Sequence, residues 1–275
     1  MIEIYNEYDH HLQGGHFSSY KKNLGNKLFI YATCKIISDS LDYNLILPDK
    51  SFIRRETQKT NQYIVDEFPF GSITNKKSVD CCPIVIDDDT FISYGSIENF
   101  IKKIDNNKIL STGYYSKYEY IKPYKNEVRN FYKKLVKEKR NNNDIIMMLR
   151  NSRDDARFVI DDEYYLTILE NEEFENLYVS IDHTYQHSSI LKKIEKYNPK
   201  FIDGGIIDVF SEITSFNRII ACQGTFSFWA CFLSNAEKIY WPLTKDGPNS
   251  NNLSHGKHLN LIVDDESRYE FIKLK

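Results

Sequence analysis

The stretch Asp144-Ile-Ile-Met-Met-Leu-Arg-Asn-Ser-Arg-Asp-Asp155 sets an apolar run, Ile145 to Leu149, directly before a polar cluster holding Arg150, Arg153, Asp154 and Asp155. A short apolar run cut off by charge reads as a buried strand whose carboxyl end opens into a loop. In open α/β sheets, ligands bind outside the carboxyl ends of strands. An arginine there can hold a phosphate through two parallel charge-assisted hydrogen bonds. The same residues also fit a buried strand capped by a solvated charged turn, so the surroundings must decide.

Those surroundings alternate strand and helix on both sides. Upstream, residues 2–5 predict a strand, followed by a polar connection with Gly14-Gly15 and a loop, Leu24-Gly25-Asn26, that leads into a helix over 27–38. A strand over 45–47, ended by Pro48-Asp49, completes the opening of a βαβ unit. Residues 48–78 read as loop. Next come a strand over 83–86 stopped by Asp87-Asp88-Asp89, a helix over 97–104, and a strand over 108–110. A long helix over 123–139 precedes Asn141-Asn142-Asn143, the best linker candidate. Downstream, helices over 163–171, 188–197, 207–215 and 226–233 alternate with strands over 177–181, 200–202, 218–222 and 238–241, the last closed by Pro242. The pattern predicts an α/β protein with two Rossmann-like domains, residues 1–140 and 144–275, facing across a cleft. The C-terminal tail is a candidate for packing back on the first domain.

Composition narrows the function classes. The chain of 275 residues is 41% hydrophobic and 27% charged, with net charge -3, which gives no global positive field for nucleic acid. The basic run over 133–140 reads as a solvated helix face and C-terminus. Five cysteines, an odd number without CxxC spacing, argue against a disulfide framework and against zinc. The first residues lack a signal-peptide pattern. No apolar run reaches the length of about 18 residues that spans a membrane. The expectation is a cytoplasmic protein without a transmembrane segment, with peripheral membrane contact left open.

Three loops could carry chemistry. Gly224-Thr225-Phe226-Ser227 follows a strand and opens a helix, offering unpaired N–H groups and two hydroxyls to an anion; it also fits a plain N-cap. Leu24-Gly25-Asn26 is a second strand-to-helix loop whose glycine permits close backbone approach. Asp182, at a strand end, could accept hydrogen bonds from a base or ribose, or simply close a turn. The chief rival is Asp87-Asp88-Asp89, a DxD-like triplet that could hold a divalent metal on a sugar-nucleotide diphosphate. Acidic clusters recur at Asp161-Asp162-Glu163 and Asp264-Asp265-Glu266, so a surface turn explains the triplet more cheaply. The histidines lack zinc-site spacing, and there is no GxSxG elbow.

Taken in order, several stretches resemble the α-1,2-fucosyltransferase family, glycosyltransferase family 11. Residues 24–32, Leu-Gly-Asn-Lys-Leu-Phe-Ile-Tyr-Ala, resemble its GGLGNQMFQYA, and Gly113-Tyr114-Tyr115-Ser116-Lys117-Tyr118-Glu119-Tyr120 resembles its GYFQSEKYF. Met148-Leu149-Arg150-Asn151-Ser152-Arg153-Asp154 stands where the family has HxRRGDY. Residues 219–230 resemble its IIANSSFSWWGA, Tyr240-Trp241-Pro242 follows, and Val179-Ser180-Ile181-Asp182 resembles its FSDD strand end. The resemblance implies a GT-B fold and an inverting, metal-independent transfer of a sugar, foremost fucose from GDP-fucose, to a glycan hydroxyl. The nucleotide sugar is a co-substrate, and no other cofactor or metal is expected. Arg150 would hold the donor pyrophosphate, with Thr225 and Ser227 around the phosphates and Arg153 and Phe226 as further donor contacts. Asp182 would face the nucleoside, Gly25 and Asn26 would line the cleft, and Asp154 is the candidate base. Met148 replaces the family histidine, Asn151 its second arginine and Ser152 its glycine, and Asp154 falls one residue late. A UDP- or dTDP-sugar donor, or a glycan- or nucleotide-binding protein that has lost catalysis, therefore stays open beside GDP-fucose.

Overall fold

In a computed structural model of the chain, the described residues are 2–4, 24–43, 45–46, 84–104, 109–111, 113–140, 142–150, 160–181, 189–243 and 259–274. Strands and helices alternate along them, and the chain divides into two compact units, Met1–Phe131 and Tyr132–Lys275.

The first unit holds β1 (Ile2–Ile4), α1 (Leu24–Ser40), β2 (Leu45–Ile46), β3 (Ile84–Ile86), α2 (Asp88–Tyr94), α3 (Ile97–Lys103), β4 (Ile109–Ser111), α4 (Tyr118–Ile121) and α5 (Lys125–Phe131). Its sheet is parallel in every pairing, in the order β2-β1-β4-β3. Helix α1 buries Leu28, Phe29, Ile30, Tyr31 and Ala32 in succession, the mark of a helix enclosed on most sides rather than laid on a surface. It already begins at Leu24, so Gly25 and Asn26 lie in its first turn and not in a loop before it.

The second unit contains β5 (Ile145–Leu149), α6 (Asp162–Asn171), β6 (Leu177–Ile181), α7 (Ser189–Ile194), β7 (Lys200–Phe201), α8 (Ile206–Ile213), β8 (Arg218–Ile220), α9 (Thr225–Leu233), β9 (Lys238–Leu243) and β10 (Tyr269–Lys273). The sheet order is β10-β9-β8-β5-β6-β7, again wholly parallel. Counted from β5, the chain winds outward through two strands, returns to the other side of β5, and adds three more. This is the order 3-2-1-4-5-6 of doubly wound nucleotide-binding sheets, and its direction reverses between β5 and β8. All five residues of β5 are buried, as a strand covered on both faces requires.

Tertiary packing overrides three expectations. The helix predicted over 123–139 stops at Phe131, gives way to a 3-10 turn at Lys133–Leu135, and continues as irregular chain to Arg140. Its second half is held by the second unit: the Tyr132 ring meets Trp229 edge-on at 5.2 Å, Lys137 N donates to Thr214 Oγ1 at 3.0 Å, and Arg140 N donates to Ser215 O at 2.8 Å. The units therefore part before the asparagine run rather than at it. Pro242 lies inside β9 instead of ending it; β8 pairs only as far as Tyr240, so the missing proline N–H falls where no strand asks for it on that side. The C-terminal stretch Tyr269–Lys273 joins the second unit as the outer strand β10.

The amino edge of the second sheet is tied by polar groups. Asp144, 1% exposed, accepts from Asn142 Nδ2 at 2.6 Å, Asn176 Nδ2 at 2.7 Å and Arg140 Nη1 at 3.4 Å. The Arg140 guanidinium stacks over the rings of Phe216 and Tyr178, 4.0 and 4.7 Å from their centroids, and pairs with Glu212. Farther along, Glu172 joins the first residues of two strands, accepting from Arg218 and Lys238, both at 2.9 Å.

Candidate functional site

The carboxyl ends of β5 and β8 lie side by side at the reversal of strand order, where such sheets bind ligands. Arg150 follows β5 directly, and Cys222-Gln223-Gly224 links β8 to α9. The structure brings the two together. Arg150 Nη1 lies 3.5 Å from the carbonyl oxygen of Gln223. Gly224 is the N-cap of α9, with φ 111° and ψ 168°, a conformation open to glycine and strained for other residues. A methyl group at Gly224 would overlap Nη1 of Arg150 and stand 3.4 Å from its Cζ. The guanidinium therefore lies against the N-cap of α9.

That turn is not closed by a side chain. Glycine at the cap makes no side-chain hydrogen bond, and the helical ladder begins with Phe228 N donating to Gly224 O at 3.0 Å. The plain capping role open to Thr225 and Ser227 is thus not what they do. Thr225 is the first helical residue and half-buried. Phe226 packs edge-on against Phe210 at 5.3 Å, fastening α9 to α8. Ser227 departs from its expected place around a phosphate. It is 1% exposed, its Oγ accepts from Cys222 N at 3.2 Å, and its hydroxyl approaches Met148 Sδ at 3.5 Å. It braces the turn from inside, beside Met148.

Around this pair the scaffold is neutral and firmly bonded. The Tyr164 hydroxyl lies 3.1 Å from Ala221 O and 2.8 Å from Tyr240 O, joining the ends of β8 and β9. Tyr165 donates to Met148 O at 3.2 Å. Burial pushes both phenols well above their ordinary range, so they remain neutral donors. Gln223 is the exception. It is 1% exposed, and neither its amide nitrogen nor its amide oxygen has a hydrogen-bond partner among the described residues. An unmet buried donor or acceptor costs about 1–3 kcal/mol, so a native protein keeps few of them.

The remaining candidates separate. Gly25 and Asn26 sit in the first unit, Gly25 buried and Asn26 half-buried. Arg153, Asp154 and Asp182 lie outside the described residues. The rival triplet has a structural use. Asp87 caps α2, accepting from Thr90 N at 2.9 Å, and that N–H holds its carboxyl below the usual range. Asp88 accepts from Tyr114 N at 3.0 Å and Tyr115 N at 2.7 Å, fixing the loop after β4. Tyr115 stands in left-handed backbone, φ 54°, with its hydroxyl donating to Ile86 O at 2.8 Å. A Cβ at Gly113 would come within 2.8 Å of Asp88 N, so the Gly113-Tyr114-Tyr115 motif is the join between β3 and β4.

Sequence reading placed Gly224 at the head of a candidate anion-binding loop but gave Gln223 no role. Glycine immediately before a helix, where serine or aspartate is the usual cap, was the available signal for Gly224; nothing in the sequence marks Gln223 as buried. Compared with protein-family models and with curated proteins, the chain matches none. Among the described residues no helix is long and apolar enough to cross a membrane.

Proposed function

We propose that the second unit binds the diphosphate of a nucleotide sugar at the β5–β8 switch point, and that the chain is an inverting, metal-independent glycosyltransferase of GT-B type. Its best-supported donor is GDP-fucose and its acceptor a glycan hydroxyl. One observation carries this reading: a guanidinium laid against the N-cap of α9. The amino end of a helix is equivalent to about half a positive charge. A cation placed there is unfavourable by itself and becomes favourable when an anion lies between them. Arginine offers such an anion two parallel hydrogen bonds.

Transfer then follows electrostatically. As the bond from the anomeric carbon to the phosphate oxygen lengthens, negative charge grows on the departing diphosphate, where Arg150 and the α9 N–H groups stabilise it. The acceptor hydroxyl attacks the opposite face and gives its proton to a carboxylate, for which Asp154 is the candidate. A thermal-shift screen of GDP-, UDP- and dTDP-sugars, followed by detection of released nucleotide, tests the assignment. Stabilisation by one nucleotide sugar with acceptor-dependent release supports it; no response across the panel sinks it.

Met148 favours a second reading. The position holds a buried thioether rather than a titratable ring, which suits a protein that binds a nucleotide sugar or glycan without transferring. Stabilisation without release under any acceptor would select it.

A further inference from the structure

We propose that Gly224 is a positioning residue: its missing side chain is what allows the Arg150 guanidinium to lie against the start of α9. This rests on the diphosphate reading above. The two atoms that a Cβ at Gly224 would meet within 4 Å, beyond its chain neighbours and its own helix, both belong to Arg150. Among the described residues, the space a side chain would take is thus filled by this one cation.

Helix capping does not require the glycine. Serine, threonine, aspartate or asparagine would satisfy one of the first-turn N–H groups, and each caps a helix in ordinary extended backbone. Gly224 instead holds φ 111° and closes nothing with a side chain. The residue before it supplies an independent sign of a ligand, a carboxamide 1% exposed whose two polar atoms lack partners among the described residues. The cation lies against the carbonyl of this same residue, at the start of the helix.

The overlapping atom is the far end of a flexible side chain. A methyl group at 224 would therefore be accommodated by swinging Arg150 aside, so that position is lost before fold. A second, separate effect is backbone strain, which an alanine at this φ incurs whether or not Arg150 is present.

A double-mutant cycle separates the two. GDP and inorganic pyrophosphate are titrated calorimetrically into the full chain, into Gly224→Ala and Arg150→Ala, and into the double variant, with melting temperatures recorded alongside. In the presence of Arg150, Gly224→Ala should weaken GDP at least about tenfold, a change of about 1.4 kcal/mol. In the Arg150→Ala background the same substitution should change affinity less than about twofold. The drop in melting temperature should be similar in both backgrounds. Equal affinity losses in both backgrounds, no loss with Arg150 present, or failure of both alanine variants to fold would overturn the positioning role. GDP binding that depends on Arg150 but ignores Gly224 sinks this inference alone. A native chain that binds no nucleoside diphosphate sinks the diphosphate reading, and this inference with it.

Discussion

Helix α9 carries an arginine at each end, and the two sit in opposite electrostatic settings. At the carboxyl end, Arg268 donates to Phe232 O at 3.0 Å and Ser234 O at 2.6 Å, and its Nε donates to Glu266 at 2.7 Å. A cation belongs there, because the last carbonyls lack intrahelical partners and the helix dipole is negative. At the amino end, Arg150 Nη1 lies against the N-cap Gly224, 3.5 Å from the carbonyl of Gln223, whose own buried amide has no partner among the described residues. One arginine satisfies the carbonyls that end a helix; the other stands beside the glycine that begins it. The contrast extends to the sheet, whose amino edge is tied by Asp144, Arg140, Glu172 and Glu212, while its carboxyl edge holds Gln223 with both amide atoms unpartnered among the described residues.

Substitutions can break this contrast, and the largest effects belong to the tied edge. Asp144→Ala takes the buried acceptor from Asn142 and Asn176 and one of two carboxylates from Arg140, and should cost about 3–5 kcal/mol in chemical denaturation, the range for breaking a buried charge pair. An unchanged midpoint would show that the amino-edge network contributes nothing. Arg150→Ala should do the reverse. Nucleotide-sugar turnover should fall by about two to three orders of magnitude, about 2.7–4 kcal/mol, while the melting temperature stays within a degree or two of native. A large loss of stability with retained turnover would make Arg150 a second Arg268.

Acid gives a smaller, graded test. Burial opposes ionisation of Glu172 and Glu212. Hydrogen bonds from Lys238 and Arg218 to the first, and from Lys137 and Arg140 to the second, outweigh it and hold both carboxyls below the usual glutamate range. With folded values depressed, the unfolded chain binds more protons in acid, so their stabilisation is complete above about pH 4.5 and lost as pH falls through the folded values. Melting curves between pH 6 and 3 should show that decline, and Glu172→Gln should flatten it; an unaltered slope would contradict the linkage. The smallest effect is expected at Gln223. Replacing its unmet amide by leucine should leave stability within about 1 kcal/mol of native or raise it. A clear destabilisation would mean that the amide is bonded in the ligand-free protein.

Much of this was readable before the structure. Ile145 to Leu149 and its polar border fixed the central strand, and glycine followed by threonine and serine marked the start of α9, because strand burial and helix initiation are local in sequence. The helix break at Phe131 was not readable, since residues 132–140 are held by Trp229, Thr214 and Ser215, far along the chain. Pro242 was taken as a stop because its harmlessness depends on where β8 ends. Asp87 and Asp88 left a metal motif open beside the favoured surface turn, because a capping box and a loop clamp use the same letters. At the candidate site, Arg150 was legible by position, whereas a glycine whose vacant side is filled by a guanidinium is spelled like any other turn glycine. Ser227 reads as a hydroxyl for a ligand until its burial under the β8–α9 turn is known.

The Tyr132–Arg140 segment has a consequence for severing the chain. Arg140 covers the faces of Tyr178 and Phe216 and neutralises Glu212, so it is a lid on the second unit's own hydrophobic base. A cut at the asparagine run would uncap two aromatic rings and leave Asp144 without its cation. A cut between Phe131 and Tyr132 spares every one of those contacts, which makes that peptide bond the natural seam of the polypeptide.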